Sequence, residues 1–199
     1  RSEKRRKSDA RCAESRPHHI LALDFDGDGR IDLAAKLTHT GIQPLRNRGD
    51  GTFTALPLIQ ELGIDGKVIA TCDFDHDGKQ DLVGTLGVGI SRGDGTFRKT
   101  LDLGRDVSLA LADMNGDGND DLILPAAEPG LLDIYAGKGD GMFHSPALMG
   151  PIGEEPSFLL ARELEAAGDA DLVAATSGSS LPLLWGLGGD AFVEAGSIL

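Results

Sequence analysis

Aromatic residues are scarce in this chain of 199, which holds seven Phe, one Tyr and one Trp against 28 glycines. So little aromatic bulk beside so much glycine argues against long helices and points to many short strands joined by tight turns. Cysteine is nearly absent, and the two present, Cys12 and Cys72, cannot build a disulfide framework. They could pair with each other. Alternatively Cys72, which stands where other repeats have Leu23 and Ala112, is a small buried apolar residue. No apolar run approaches the roughly 18 residues that a membrane span needs, and no signal-like apolar stretch opens the chain. The expectation is a soluble chain that opens on Arg1 as a trimmed product, its targeting segment absent.

Positive charge is also in short supply, with 19 Lys and Arg against 32 Asp and Glu and a net charge of −13. What there is concentrates at the start: residues 1–16 hold seven Lys/Arg and three Asp/Glu, so the rest of the chain carries −17. Residues 1–17 read as a basic, disordered tail. The acidic body excludes nucleic acid, whose phosphates need a basic surface. With 199 residues the chain has material for one good core.

The acid is not scattered. A nine-residue pattern, D-x-D-x-D-G-x-x-D, runs from Asp24 through Asp26, Asp28 and Gly29 to Asp32. It returns as Asp73, Asp75, Asp77, Gly78 and Asp81, and again as Asp113, Asn115, Asp117, Gly118 and Asp121. A hard cation such as Ca²⁺ takes six to eight oxygens at about 2.3–2.6 Å, and carboxylates at positions 1, 3 and 5 of a tight loop point inward to supply them. Glycine at position 6 permits the sharp turn. The backbone carbonyl of position 7 (Arg30, Lys79, Asn119) and the position-9 Asp can then close the shell. Without a cation, acids this crowded repel one another. One copy would pass for a hydrophilic turn; three with identical spacing do not. An EF-hand needs a bidentate acid at position 12, where this chain has Ala35, Gly84 and Leu124.

Apolar or alternating runs flank each loop, so each loop joins two adjacent strands. A third run leads into a second signature: Asn47-Arg-Gly-Asp-Gly-Thr-Phe53, then Ser91 to Phe97, then Gly137 to Phe143. Its Gly-Asp-Gly is hairpin-turn chemistry, and the Phe opens a fourth strand, such as 54–59. A fourth repeat is decayed: Glu163, Glu165, Ala167, Gly168 and Asp171 keep the register but lose the position-5 acid, so calcium there is expected to be weak or absent. Loop starts at 24, 73, 113 and 163 give a period of about 40–50 residues, and four strands per period mark a propeller blade. The expected fold is all-β, a β-propeller of four-stranded blades over residues 18–199, with repeats at about 18–62, 63–104, 105–152 and 153–199.

These loops and turns resemble FG-GAP/VCBS-type repeats over nearly the whole chain outside the basic tail. The resemblance implies a calcium-binding propeller like those of integrin α-subunit heads, fungal lectins and secreted bacterial proteins. Carried over by position, it implies about three calcium sites. Their ligands are Asp24, Asp26, Asp28, Arg30 (backbone) and Asp32; Asp73, Asp75, Asp77, Lys79 (backbone) and Asp81; and Asp113, Asn115, Asp117, Asn119 (backbone) and Asp121. Well-known members have seven blades where this chain offers four. Either the four close on themselves, the favoured reading, with no strand left over to interlock the ends and the ring relying on blade-to-blade packing of Leu23, Leu33, Phe53, Phe97, Leu122, Phe143 and Trp185, or the chain pairs with another.

The function this implies is a non-catalytic scaffold or protein-interaction module, extracellular, periplasmic or at the cell surface, with a protein partner or larger complex. A glycan-binding lectin is the alternative, with Trp185 and Tyr135 the available aromatic platforms. An enzyme is not expected: His18, His19, His39, His76 and His144 accompany no nucleophile motif, and clustered acids suit a cation better than acid–base work. Arg48-Gly49-Asp50 and Arg92-Gly93-Asp94 match an adhesion tripeptide, but their Gly and Asp are already explained by the turn.

Overall fold

A computed structural model describes residues 17–37, 40–62, 68–84, 86–104, 108–150, 152, 156–162, 170–176, 181–186 and 192–198. It is all-β, with no helix among the described residues. The first sheet comprises β1 (Pro17–Leu23), β2 (Asp32–Leu37), β3 (Gly41–Asn47) and β4 (Phe53–Ala55). The second holds β5 (Val68–Cys72), β6 (Asp81–Gly84), β7 (Gly87–Ser91) and β8 (Phe97–Asp102). The third holds β9 (Ala110–Ala112), β10 (Asp121–Pro125), β11 (Leu132–Tyr135) and β12 (Ala147–Met149). The fourth holds β13 (Pro156–Arg162), β14 (Asp171–Thr176), β15 (Leu181–Gly186) and β16 (Phe192–Ile198). Each sheet is an antiparallel meander in chain order, and the four are arranged as β-propeller blades, four in this chain, with a buried seam between each sheet and the next.

Register follows from where each acidic loop ends. The position-9 Asp opens the second strand opposite the last residue of the first, in the pairs Leu23↔Asp32, Cys72↔Asp81 and Ala112↔Asp121. The Leu that follows is therefore fixed on one sheet face and its successor on the other. Leu82, Leu122 and Leu172 are fully buried against the preceding sheet, while Val83 and Ile123 are buried against the following one. Burial of each such side chain stabilises by roughly 1.5–3 kcal/mol. Three buried clusters result. One, with Leu23, Phe25, Leu82 and Phe97, joins the first sheet to the second; a second, with Phe74, Val83, Leu122 and Leu124, joins the second to the third; a third, with Met114, Ile123, Leu159 and Leu172, joins the third to the fourth.

The Phe of each turn signature reaches back to the preceding sheet. Phe97 meets Phe25 edge-on at 6.3 Å between ring centroids, and Phe143 meets Phe74 at 5.3 Å. Of the residues expected at blade contacts, Leu23, Phe97 and Leu122 are buried and Leu33 and Phe143 half-buried. Phe53 differs, at 41% exposed, because no sheet packs against it among the described residues. The side chain of Trp185 lies outside the description.

The fourth strand of the first sheet is shorter than the expected 54–59. It ends at Ala55, because Pro57 has no N–H for the ladder. Pairing resumes as an isolated bridge in which the Ile42 and Ile59 amides donate to each other's carbonyls at 2.9 and 2.8 Å. Gly87 opens β7 at φ +150°, where an added Cβ would lie 2.1 Å from the Leu101 carbonyl oxygen. Gly87→Ala is therefore expected to cost about 2 kcal/mol, read as a lowered midpoint in urea.

Candidate metal centre

Each acidic loop is wound around its first carboxylate. Asp24 accepts backbone N–H bonds from Gly27, Asp28 and Gly29 at 2.8, 3.2 and 2.8 Å. Asp113 accepts the matching set from Gly116, Asp117 and Gly118 at 2.8, 3.1 and 2.8 Å, and Asp73 accepts from Asp77 and Gly78 at 3.1 and 3.0 Å. Position 5 accepts from the amide of position 7 in all three loops, at 2.8, 2.9 and 2.8 Å for Asp28, Asp77 and Asp117. Position 6 has positive φ each time, 81°, 84° and 87° at Gly29, Gly78 and Gly118. Position 4 does too. Its occupants are Gly27, Gly116 and His76, and His76 holds φ +56°, a conformation that favours glycine. The three loops thus share one backbone conformation, and the sequence reading had identified only one of its two left-handed positions.

This winding brings carboxylates together. Oxygens of Asp24, Asp26 and Asp28 lie within 4.8 Å of one another, as do those of Asp73, Asp75 and Asp81. Oδ1 of Asp75 is buried and accepts no hydrogen bond, and the buried Oδ2 of Asp32 has only the Phe25 amide beside it, short of a well-formed bond. A buried carboxylate oxygen with no donor is costly, and a hard cation is the partner that such an all-oxygen set fits. The Arg30 guanidinium lies on Asp28 and the Lys79 ammonium on Asp77, so cationic side chains from position 7 already favour this pocket. In the third loop Asn119 stands there and meets His76 Nε2 through its Oδ1 at 3.0 Å. The acidic positions of the fourth loop, 163, 165 and 167, lie outside the described residues.

The position-9 aspartates carry a second role that spacing did not reveal. Asp32, Asp81 and Asp121 are fully buried. Asp81 accepts from the Phe74 and Ser91 amides at 2.9 and 2.7 Å, and Asp121 accepts from Met114 and Gly137 at 2.9 and 2.8 Å. Asp32 accepts from Asn47 at 2.7 Å. Asp81 and Asp121 therefore tie the start of their loops to the end of the third strand or just past it, while Asp32 holds the end of β3 through Asn47. Burial pushes the Asp81 carboxyl up to about 7, against its two backbone bonds and with help from the charges of Asp75 and Asp73. Burial raises Asp121, Asp32 and Asp75 in the same direction.

Adjacent loops are also joined. The Asp24 amide donates to Gln80 Oε1 at 2.8 Å while the Gln80 amide donates to the Asp24 carbonyl at 2.8 Å. Ser91 Oγ donates to the Phe25 carbonyl at 2.7 Å, and the Gly141 amide to the Phe74 carbonyl at 3.1 Å. Arg46, in β3, ion-pairs with Asp26 at 2.8 Å, donates to the Gly93 carbonyl at 3.1 Å and stacks over the Phe25 ring at 5.8 Å. No motif pointed to Arg46. Position 2 did carry a visible signal, since Phe25, Phe74 and Met114 are all apolar and all buried beneath their loops.

Elsewhere the turn reading holds. Asp50 and Asp94 each accept from the Thr two residues on, through its amide at 2.9 and 2.8 Å and its hydroxyl at 2.6 Å in both. The tripeptide aspartates are thus engaged within their own turns. Cys72 is a free thiol donating to Asp120 Oδ2 at 2.6 Å, and burial pushes its pKa up; Cys12 lies outside the described residues. Tyr135 is half-buried against the cluster between the second and third sheets.

Residues 24–84 match the model of a family described as FG-GAP-like repeat. No curated protein matches the chain. Among solved structures it is similar to an Agrocybe aegerita lectin described as specifically recognising non-reducing terminal N-acetylglucosamine. That likeness has 23% identity and a TM-score of 0.68, and covers 94% of this chain and 53% of the lectin chain. It is also similar to part of the Photorhabdus luminescens Tc holotoxin pore, with 19% identity, a TM-score of 0.54, and 92% and 9% of the two chains covered. The chain spans about half the length of the one and under a tenth of the other, and at these identities the likeness is one of fold.

Proposed function

We propose that this FG-GAP-type repeat propeller is a non-catalytic, calcium-binding module that presents a rigid surface to a protein partner within a larger assembly. The observation that carries this reading is the convergence of carboxylate oxygens within 4.8 Å in two loops, alongside a buried oxygen on Asp75 that accepts no hydrogen bond. Calcium supplies the positive charge that these oxygens lack, and rigidity follows because each loop fixes the join between two strands. Extracellular modules bind calcium at about 10⁻⁴–10⁻³ M, which suits a place outside the cell, in the periplasm or at the cell surface. The presence of a similar fold as 9% of a holotoxin pore chain supports a role as one part of an assembly. The clustered acids serve as ligands in this reading, and no catalytic role is assigned to them.

Calorimetric titration of cation-stripped protein with calcium tests it directly. About three sites are expected, and Asp26→Ala with Asp28→Ala should remove one of them. Absence of binding heat at millimolar calcium, with no change in stability, would overturn the reading.

A second reading is a glycan-binding propeller. It is favoured by a cleft of about 290 Å³ at the seam between the first two sheets, whose lining includes the polar side chains Gln60, Glu61, Arg92 and Thr96. A glycan array that includes N-acetylglucosamine-terminated chains tests it. Binding lost in Glu61→Ala and Arg92→Ala would support it, and an array without hits would remove it.

A further inference from the structure

The same seam is built three times, between sheets one and two, two and three, and three and four, and at each the later sheet offers the same residues to the earlier one. The first sheet carries those residues with no described sheet packed in front of them. The Leu after the position-9 Asp is fully buried in sheets two to four, at Leu82, Leu122 and Leu172, but Leu33 is only half-buried. Phe97 is 3% exposed and Phe53 is 41% exposed. A Cβ on Gly95 would strike Leu56 at 2.2 Å and one on Gly141 would strike Ile90 at 2.8 Å, both in the preceding sheet, whereas Gly51 has nothing within 4 Å. Ile20, paired with Ala35 on this same outer face, is 54% exposed.

At the other end the fourth sheet has the reciprocal face. Leu159 turns into the seam with the third sheet, so its neighbours Phe158 and Leu160 point away, and they are 59% and 44% exposed. Register places Ala175, Val173 and Leu183 beside them on that outer face. Among the described residues no buried cluster joins the fourth sheet to the first. Exposed apolar faces of this kind mark interaction surfaces.

We propose that the outer face of the first sheet is the seat for the fourth sheet of a second copy of this chain. The seam is heterologous, with one kind of face on each end, and two copies related by a twofold axis use both faces and close a ring of eight sheets. Continuity with the three existing seams specifies the kind of occupant, a sheet with the outer face of a preceding blade, and among the described residues the fourth sheet presents that face uncovered. The four sheets follow the fold of a lectin chain of which they cover 53%, so their arc also fits within a longer chain, and a second copy doubles the sheets available.

Light scattering with chromatography, in calcium-containing buffer, tests this on the full chain. A mass of twice 20.8 kDa is expected at tens of micromolar. Phe53→Asp and Phe158→Asp should each raise the dissociation constant about thirtyfold or more. Phe53 is 41% and Phe158 59% exposed in the single chain and neither belongs to a buried cluster, so circular dichroism should show both variants folded. Mixing the two variants should restore dimer in part, because the mixed pair has one seam with Phe53 and Phe158 both intact. A monomer at all concentrations would overturn the proposal, as would a dimer indifferent to both substitutions or a mixture that stays monomeric.

Discussion

Removing divalent cations is expected to lower the melting temperature by about 15–30 °C, and adding calcium back should restore it. A site whose ligand stands at 100 times its dissociation constant stabilises by about 2.7 kcal/mol, so the three sites proposed would together contribute about 8 kcal/mol. In a domain of this size each kcal/mol moves the midpoint by about 2–4 °C. The effect should exceed a simple sum of loops, because the Asp24 backbone is clamped by Gln80 of the next loop and the Phe74 carbonyl accepts from Gly141 of the following turn. Loosening one loop therefore loosens a seam. Differential scanning calorimetry with excess chelator, then with excess calcium, is the measurement. A thermogram unmoved by chelator would mean that the carboxylates are held by the backbone bonds alone.

The second large effect concerns Asp81. In the folded chain burial holds its carboxyl up to about 7, whereas an unstructured Asp titrates near 3.8. Between those values the folded chain keeps a proton that the unfolded chain has released, so cation-free stability is highest towards the lower value and is lost as pH rises through 7. Asp121, Asp32 and Asp75 shift in the same direction and add to the slope. Calcium reverses it, because the cation binds the ionised form. Melting curves at pH 5 and pH 8 should therefore rank in opposite orders with chelator and with calcium. Asp81→Asn should flatten the cation-free slope. In calcium it should cost about 3 kcal/mol, since the amide keeps one acceptor oxygen where the carboxylate served both Phe74 and Ser91, and one of those buried amides then faces an NH₂ group. Identical pH profiles for the variant and the parent chain would remove Asp81 from this account.

Much of the strand order was legible because its signals are local. The D-x-D-x-D-G-x-x-D spacing fixes where one strand ends and the next begins, and Gly-Asp-Gly fixes the later turn, so the described strands on either side of each acidic loop fall close to the runs that flank it in the sequence. The fourth strand of the first sheet was overextended because alternation in 54–59 hid the missing N–H of Pro57. His76 at a left-handed position was missed for a related reason, since histidine carries no such signature. The role of Arg46 had no signal, because its partners Asp26 and Gly93 lie in a loop and a turn far along the chain.

By itself the sequence determined the repeat, the strand pairs and the acids that share each loop, since all of these depend on residues fewer than about ten apart, where spacing and backbone geometry act directly. Tertiary structure alone decided that Asp32, Asp81 and Asp121 are buried clamps as well as candidate ligands, and that equivalent residues have unlike fates. Leu33 and Phe53 carry the same signature as Leu82 and Phe97, yet exposure separates them. Burial belongs to a pair of surfaces, and a repeat can specify its own face without specifying what stands in front of it.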